Sequence, residues 1–127
     1  MADAVTSQTL VDGVKNVVMS FTNLSDGTGE AAVKKVDVSE LSGAPSSVRI
    51  DKIIACTSGM SVSLLWDADT DVRAFIIGQD TSGEYDFRCF GGIKNNAGTG
   101  VTGDIMFTTT GHTSGDSYSI ILHMSKL

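Results

Sequence analysis

The chain has 127 residues and a mass of 13.3 kDa, which suits one domain with its own hydrophobic core. Charged residues make up only 19% of it, and 15 acidic against 9 basic residues give a net charge of −6. No basic run exceeds the pair Lys34-Lys35. This balance argues against a nucleic-acid partner, which needs cations to neutralise phosphates, and against adhesion to an anionic membrane.

The N-terminal residues carry neither a basic segment nor an apolar segment of the kind that directs secretion. No apolar stretch approaches the roughly 20 residues that span a bilayer. We therefore expect synthesis in a reducing cytoplasm, with Cys56 and Cys89 as free thiols.

Apolar and polar residues alternate along most of the chain, which is the pattern of strands with one face in a core. It predicts strands at about 4–10, 14–24, 31–38, 47–57, 60–67, 71–78, 84–90 and 101–110, with a ninth at 117–126. A change of phase near Asp51-Lys52 predicts a β-bulge. One helical turn is predicted near Val38 to Leu41, with Ser39 as its cap.

Turns rich in Gly and Asn separate these short strands at regular intervals. The arrangement predicts an all-β fold, a single-domain antiparallel β-sandwich or jelly roll of about eight strands over residues 11–127. Residues 1–10 are predicted to form a polar N-terminal arm. Residues 91–104 hold five glycines and are costly to order alone, so they are predicted to be a functional or a disordered loop.

Two local motifs resemble known ligand sites but lack essential parts. Asp67, Asp69 and Asp71 have the spacing of calcium ligands, but an EF-hand needs Gly and Glu where Val72 and Gly78 stand. We interpret this segment as a solvated hairpin tip. The segment 98–103 reads Gly-Thr-Gly-Val-Thr-Gly, like a dinucleotide fingerprint, but no helix is predicted after it to hold a pyrophosphate.

The side chains best suited to metal binding or acid–base chemistry are far apart in sequence: Cys56, Cys89, His112 and His123. Cys89 alternates with Tyr85 and Phe87 and is predicted to be a small core residue, while His123 is predicted to face solvent. No set of residues meets the geometric roles of a catalytic site. The sequence therefore predicts no cofactor and no enzymatic activity.

Two apolar side chains have no obvious place in a single core. Phe87 and Phe90 would point to opposite faces of one strand, and Leu65 lies among polar neighbours. Each is either covered by a loop or exposed to a partner, and the pattern leaves both options open.

Several segments spread over nearly the whole chain resemble the small capsid decoration or cement proteins of tailed bacteriophages. In chain order they are Val11-Asp12-Gly13, Val18-Met19-Ser20-Phe21-Thr22-Asn23, Ser25-Asp26-Gly27-Thr28-Gly29-Glu30, Leu65-Trp66-Asp67-Ala68, Asp86-Phe87, Gly91-Gly92-Ile93, Asn95-Asn96, Gly103-Asp104-Ile105-Met106-Phe107-Thr108-Thr109 and Tyr118-Ser119-Ile120-Ile121-Leu122. These segments are structural and carry no chemical signature.

The resemblance implies a non-enzymatic virion protein, made in the host cytoplasm, that binds the outside of the major capsid protein shell. It also implies a homo-oligomer, with a trimer favoured, that bridges neighbouring capsid subunits. The predicted contact segments are the arm and the glycine-rich loop, through Ala2, Asp3, Ala4, Val5, Thr6, Gln8, Leu10, Phe90, Ile93, Lys94, Asn95 and Asn96. The alternatives are a phage neck, tail or fibre component and a carbohydrate-binding β-sandwich module.

Overall fold

The structure, a computed structural model, describes residues 4–27, 29–111 and 113–126. Nine strands form in this part of the chain. They are β1 (Ala4–Asp12), β2 (Asn16–Asp26), β3 (Val33–Val36), β4 (Val48–Ser58), β5 (Ser61–Trp66), β6 (Val72–Ile77), β7 (Ser82–Asp86), β8 (Ile105–Thr110) and β9 (Ser114–Lys126). Two short 3₁₀ turns, Val38–Glu40 and Arg88–Phe90, complete the regular elements.

The strands form two sheets, and every strand pairing is antiparallel. One sheet has five strands in the order β1-β2-β9-β4-β7, and the other has four in the order β3-β8-β5-β6. The pairs β2·β9, β3·β8, β4·β7 and β5·β6 alternate between the two sheets, as they do when one long hairpin is rolled up. This is the arrangement of a jelly roll, with β1 added outside β2, and it confirms the predicted all-β sandwich.

The core fills the space between the sheets with the inward residues of the alternating strands. Trp66 and Phe107 are fully buried. The alternating residues on the inner face of β9 are buried as well: Tyr118, Ile120, Leu122 and Met124. Phe107 meets Phe21 and Tyr118 edge to face, with ring centroids 5.2 and 5.8 Å apart. Such pairs add to the stabilisation that comes from burial alone.

Two local predictions hold in modified form. The bulge lies where the phase changes, with a register shift between Ile50 and Lys52. The predicted helical turn is the 3₁₀ turn Val38–Glu40, but Ser39 is not its cap. Asp37 caps it instead, because its carboxylate lies just ahead of the turn and accepts a hydrogen bond from the Ser39 amide at 3.0 Å.

The predicted strand over 84–90 is wrong in its second half. Asp86 ends β7 and its carboxylate accepts from the Arg88 amide at 3.0 Å, which turns the backbone into the 3₁₀ turn that follows. Strand alternation therefore stops. Phe87 is buried, Phe90 is 66% exposed, and Cys89 is exposed rather than part of the core.

Leu65 is buried although it lies on the outer face of the four-stranded sheet. The register places it beside Met106, which is also buried, in a row that begins at Lys34 and ends at Arg73. Long cationic side chains can cover apolar neighbours with their methylene stems. Leu65 is thus a covered residue and not an exposed contact.

Candidate partner-binding surface

Strand β1 is an edge strand with no core beneath it. It pairs only with β2, and every described side chain from Val5 to Asp12 is exposed. Among them are the apolar residues Val5, Leu10 and Val11. Its outer edge has no strand partner among the described residues, so a row of backbone groups is open for pairing with another chain.

The chain holds β1 in place at its C-terminal end. Lys126 Nζ, almost fully buried, lies 2.6 Å from Asp12 Oδ1 and 2.6 Å from the Gly13 carbonyl, and it donates to the Ser42 carbonyl at 2.7 Å. The hydrogen bond from Lys126 lowers the pKa of Asp12 below its ordinary value. β1 is therefore anchored at Asp12 and paired with β2 along its length.

A groove of about 360 Å³ runs under the inner side of β1. It is lined by Ser7, Thr9, Asp12, Met19, Lys34, Lys35, Asp37, Glu40 and Leu41. Its walls carry both lysines and carboxylates.

The loop over 91–104 starts at the opposite edge of the same sheet. Ile93 exchanges two backbone hydrogen bonds with Ile50 of β4, at 3.0 and 2.7 Å, and is half-buried. Phe90, Lys94 and Asn96 are exposed. Asn95 is half-buried and its side-chain oxygen accepts from the Ala97 amide at 2.9 Å.

The rest of this loop is pinned to the turn over 67–71. Backbone hydrogen bonds of 3.1 Å join Asp67 to both Asp104 and Thr102, and Asp69 to Thr99. The loop therefore has a defined path along this turn, and its predicted contact role stays a prediction.

The carboxylates of the 67–71 turn serve this packing. Asp67 Oδ2 accepts from the Thr102 hydroxyl at 2.9 Å, and Asp71 Oδ1 accepts from the Ala68 amide at 3.2 Å. Across 4–27, 29–111 and 113–126, no group of three or more His, Cys, Asp or Glu side chains could hold a metal ion. No helix begins at 98–103 either, so the glycine motif there is a turn.

Two charge pairs lie on β7, on the neighbouring β4 and in the turn that contains the exposed Phe90. Arg88 donates to both carboxylate oxygens of Asp86, at 2.9 and 2.6 Å, and this side-chain contact is the main cause that lowers the pKa of Asp86 well below its usual range. Lys52 Nζ lies 2.6 Å from Glu84 Oε1. In each pair the opposite charges cancel, and the exposed Phe90 ring is an apolar group at this edge of the sheet.

The predicted contact residues fall into two separate places. Val5, Thr6, Gln8 and Leu10 lie on β1, while the group from Phe90 to Asn96 lies beyond β7 at the other edge. Five strands at about 4.8 Å spacing put these edges about 19 Å apart. Ala4 belongs to β1, and Ala2 and Asp3 lie outside the described residues.

The outer face of the five-stranded sheet was not singled out by the sequence. It carries a shallow apolar depression in which Ile54 and Ile121 are half-buried, Cys56 is exposed, and small hydroxyl residues surround them. The sequence feature that could have indicated this face is Ile121, an apolar residue at a position where the alternation of β9 calls for a polar one. His123 is half-buried on this face, and His112 lies outside the described residues.

Comparisons with known proteins give a distant structural likeness and no family. No protein-family model and no curated protein matches the chain. A solved structure described as "Crystal Structure of FeII HppE" aligns with 94% of this chain and 49% of that chain, at 11% identity and a TM-score of 0.42. The chain thus spans about half the length of that protein, and so distant a likeness carries no conclusion about activity. In the part of the chain that the structure describes, no helix is long and apolar enough to cross a membrane.

Proposed function

We propose that this chain is a non-enzymatic virion structural protein, a capsid decoration or cement protein. It binds the outer surface of the major capsid shell and stabilises it by bridging neighbouring subunits. The observation that carries the proposal is β1, an edge strand that is fixed in place while all its described side chains from Val5 to Asp12 remain exposed.

A strand of this kind is suited to bind another protein. Its open edge offers backbone donors and acceptors to an extended segment of a partner, and alternate side chains supply specificity. Val5 and Leu10 add apolar area at that edge. Because β1 is already ordered on β2, a partner does not have to supply the free energy of folding it.

A second edge of the same sheet, at β7, is the reason for proposing that one copy bridges two capsid subunits. Phe90 lies in the segment that follows β7, and β7 is the edge strand opposite β1 in the same sheet. Two contact edges on one rigid sheet allow a single copy to join two neighbouring capsid subunits. Repetition over a shell, or within a trimer, raises the avidity of contacts that are weak one by one.

The chemistry of the described residues supports a packing role more than a catalytic one. Asp67 accepts from the Thr102 hydroxyl of the loop, and Asp71 accepts from the Ala68 amide of its own turn. The described cysteines, Cys56 and Cys89, are exposed and unpaired. A sugar-binding module presents aromatic side chains for stacking. Among the large hydrophobic residues classed as exposed, Phe90 is the one aromatic.

Co-sedimentation with phage capsids that lack this protein tests the proposal, with light scattering after size exclusion to count the subunits. We expect saturable binding at many copies per shell. Phe90→Ser and Val5→Lys should each weaken it about tenfold, the effect of about 1.4 kcal/mol of contact energy. Ile76→Ser is the matched control, because Ile76 is also exposed, at 55%, but lies on β6 of the other sheet.

Two outcomes would contradict the capsid assignment, and a third would contradict the choice of contact surface. Closed six-fold or twelve-fold rings without capsid binding would indicate a neck or tail component. A monomer that binds no capsid but is retained by a glycan would indicate a sugar-binding module. Equal losses for the Ile76 control and the edge variants would show that the two edges are not the contact surface.

A further inference from the structure

Four polar side chains meet in the interior at one end of the sandwich, and neither edge surface involves them. Glu30 and Lys35 form an ion pair in which both side chains are about 95% buried. The other carboxylate oxygen of Glu30 accepts from Asn23 Nδ2 at 3.0 Å and from the Tyr118 hydroxyl at 2.6 Å. We call these residues the buried tetrad.

The tetrad packs against a buried aromatic ring and is hydrogen-bonded to a neighbouring strand. Lys35 Nζ lies 5.9 Å from the centre of the Phe107 ring, which is itself fully buried. The backbone of Glu30 is fixed on both sides by Thr109, whose hydroxyl accepts from the Glu30 amide at 2.8 Å and whose amide donates to the Glu30 carbonyl at 3.0 Å. A buried ion pair of this kind carries a large desolvation cost.

One carboxylate thus contacts both an amine and a primary amide. The amine is a nucleophile once it loses a proton, and the amide is an acyl group with ammonia as its leaving group. Glu30 touches the nitrogen of each, so it can accept a proton from the first and return one to the second. These are the parts that an acyl transfer between two side chains requires.

We propose that Lys35 and Asn23 join in an intramolecular isopeptide bond, with Glu30 as the catalytic residue. Lys35 passes a proton to Glu30 and its neutral Nζ attacks Asn23 Cγ, forming the C–N bond. The C–Nδ2 bond breaks as Glu30 relays a proton from the attacking nitrogen to Nδ2, and ammonia leaves. No oxidant or reductant is needed, and both charges of the original ion pair are removed.

The bond would connect β2 of the five-stranded sheet to β3 of the four-stranded sheet. The described cysteines are unpaired, so the bond would be a covalent link between the sheets in a chain whose described part has no disulfide. Tyr118 donates to the carboxylate oxygen that faces Asn23 and acts as a positioning residue. This inference is independent of the proposed function.

Intact-mass measurement of the purified full-length protein tests the bond directly. We expect a mass about 17 Da below that of the sequence, equal to one ammonia. A tryptic digest should yield the peptide that contains Asn23 joined to the one that contains Lys35. Simple ring closure at an asparagine loses the same mass but joins no peptides, so the digest separates the two.

Variants complete the test. Lys35→Arg and Glu30→Gln should both restore the full mass, whereas the matched control Lys34→Arg, at an exposed neighbouring position of β3, should keep the loss. Protein recovered from inclusion bodies and kept in denaturant throughout, so that it has never folded, should show no loss until it is refolded. An unshifted mass in folded, unmutated protein would overturn the proposal without reference to any variant. So would a loss that survives in Lys35→Arg.

Discussion

Removal of Met1 to Gln8 tests whether β1 is a binding element or part of the folding core. The truncation deletes five of the β1–β2 register pairs, Ala4↔Leu24 to Gln8↔Ser20. About five backbone hydrogen bonds at about 1 kcal/mol each are lost. About five residues no longer need ordering, at about 1 kcal/mol each or slightly more, so the two terms nearly cancel.

We therefore expect the free energy of unfolding to change by less than about 2 kcal/mol. Urea unfolding followed by the fluorescence of Trp66, the single tryptophan and fully buried, measures it. Phe21→Ala is the control, because removal of a fully buried ring from the core should cost about 3–5 kcal/mol.

The same truncated protein should bind capsids measurably more weakly than the full chain. If it fails to fold, or loses as much stability as the Phe21 control, β1 is part of the core and the argument from its exposure is wrong. If it folds and binds capsids with unchanged affinity, β1 is not the contact strand.

Three further outcomes follow from local geometry. Gly103→Ala should lower the free energy of unfolding, measured by thermal unfolding, by about 2 kcal/mol or more. Gly103 has a positive φ of 89°, and a Cβ there would clash with the Ser46 carbonyl oxygen. Gly98→Ala is the control and should be nearly neutral, because no atom lies within 4 Å of a Cβ at that position. The pKa of Asp86 is lower in the folded protein than in the unfolded chain, so its pairing with Arg88 stabilises the fold at pH values above the unfolded-state pKa. That stabilisation is lost as the pH falls through the folded-state pKa. An NMR titration should show Asp86 still ionised below its usual range, and Arg88→Ala should raise its pKa again. Neither calcium nor a chelator should shift the melting temperature, since the 67–71 turn is not part of any metal cluster among the described residues, and a rise with calcium would refute that reading.

The alternation of side chains predicted most of the strands because burial of one face imposes a period of two along each of them. It failed at 87–90, because the Asp86 carboxylate accepts a hydrogen bond from the Arg88 amide and this local bond competes with strand extension. A period-two pattern carries no information about such a local side-chain bond. The pairing of β2 with β9 was equally invisible, because residues far apart in sequence make it.

The candidate surface was predictable only in part. The polar composition of residues 1–10 indicated an arm, but its exposure as a paired strand depends on the width of the facing sheet, which has four strands against five. The buried tetrad could not be predicted from the sequence. Glu30 and Tyr118 are 88 residues apart and meet only in the folded chain.

The rolled-hairpin topology has a kinetic consequence. β2 pairs with β9 and β3 pairs with β8, so neither sheet can close until β8 and β9 have been synthesised. Before that, the inner faces of β2 and β4 have no β9 between them and remain open to non-native contacts. Folds dominated by such distant pairings form in milliseconds to seconds rather than microseconds, because long loops must close before the contacts form. We therefore expect slower synthesis to prolong the exposure of these faces, because the N-terminal half cannot complete either sheet ahead of the rest.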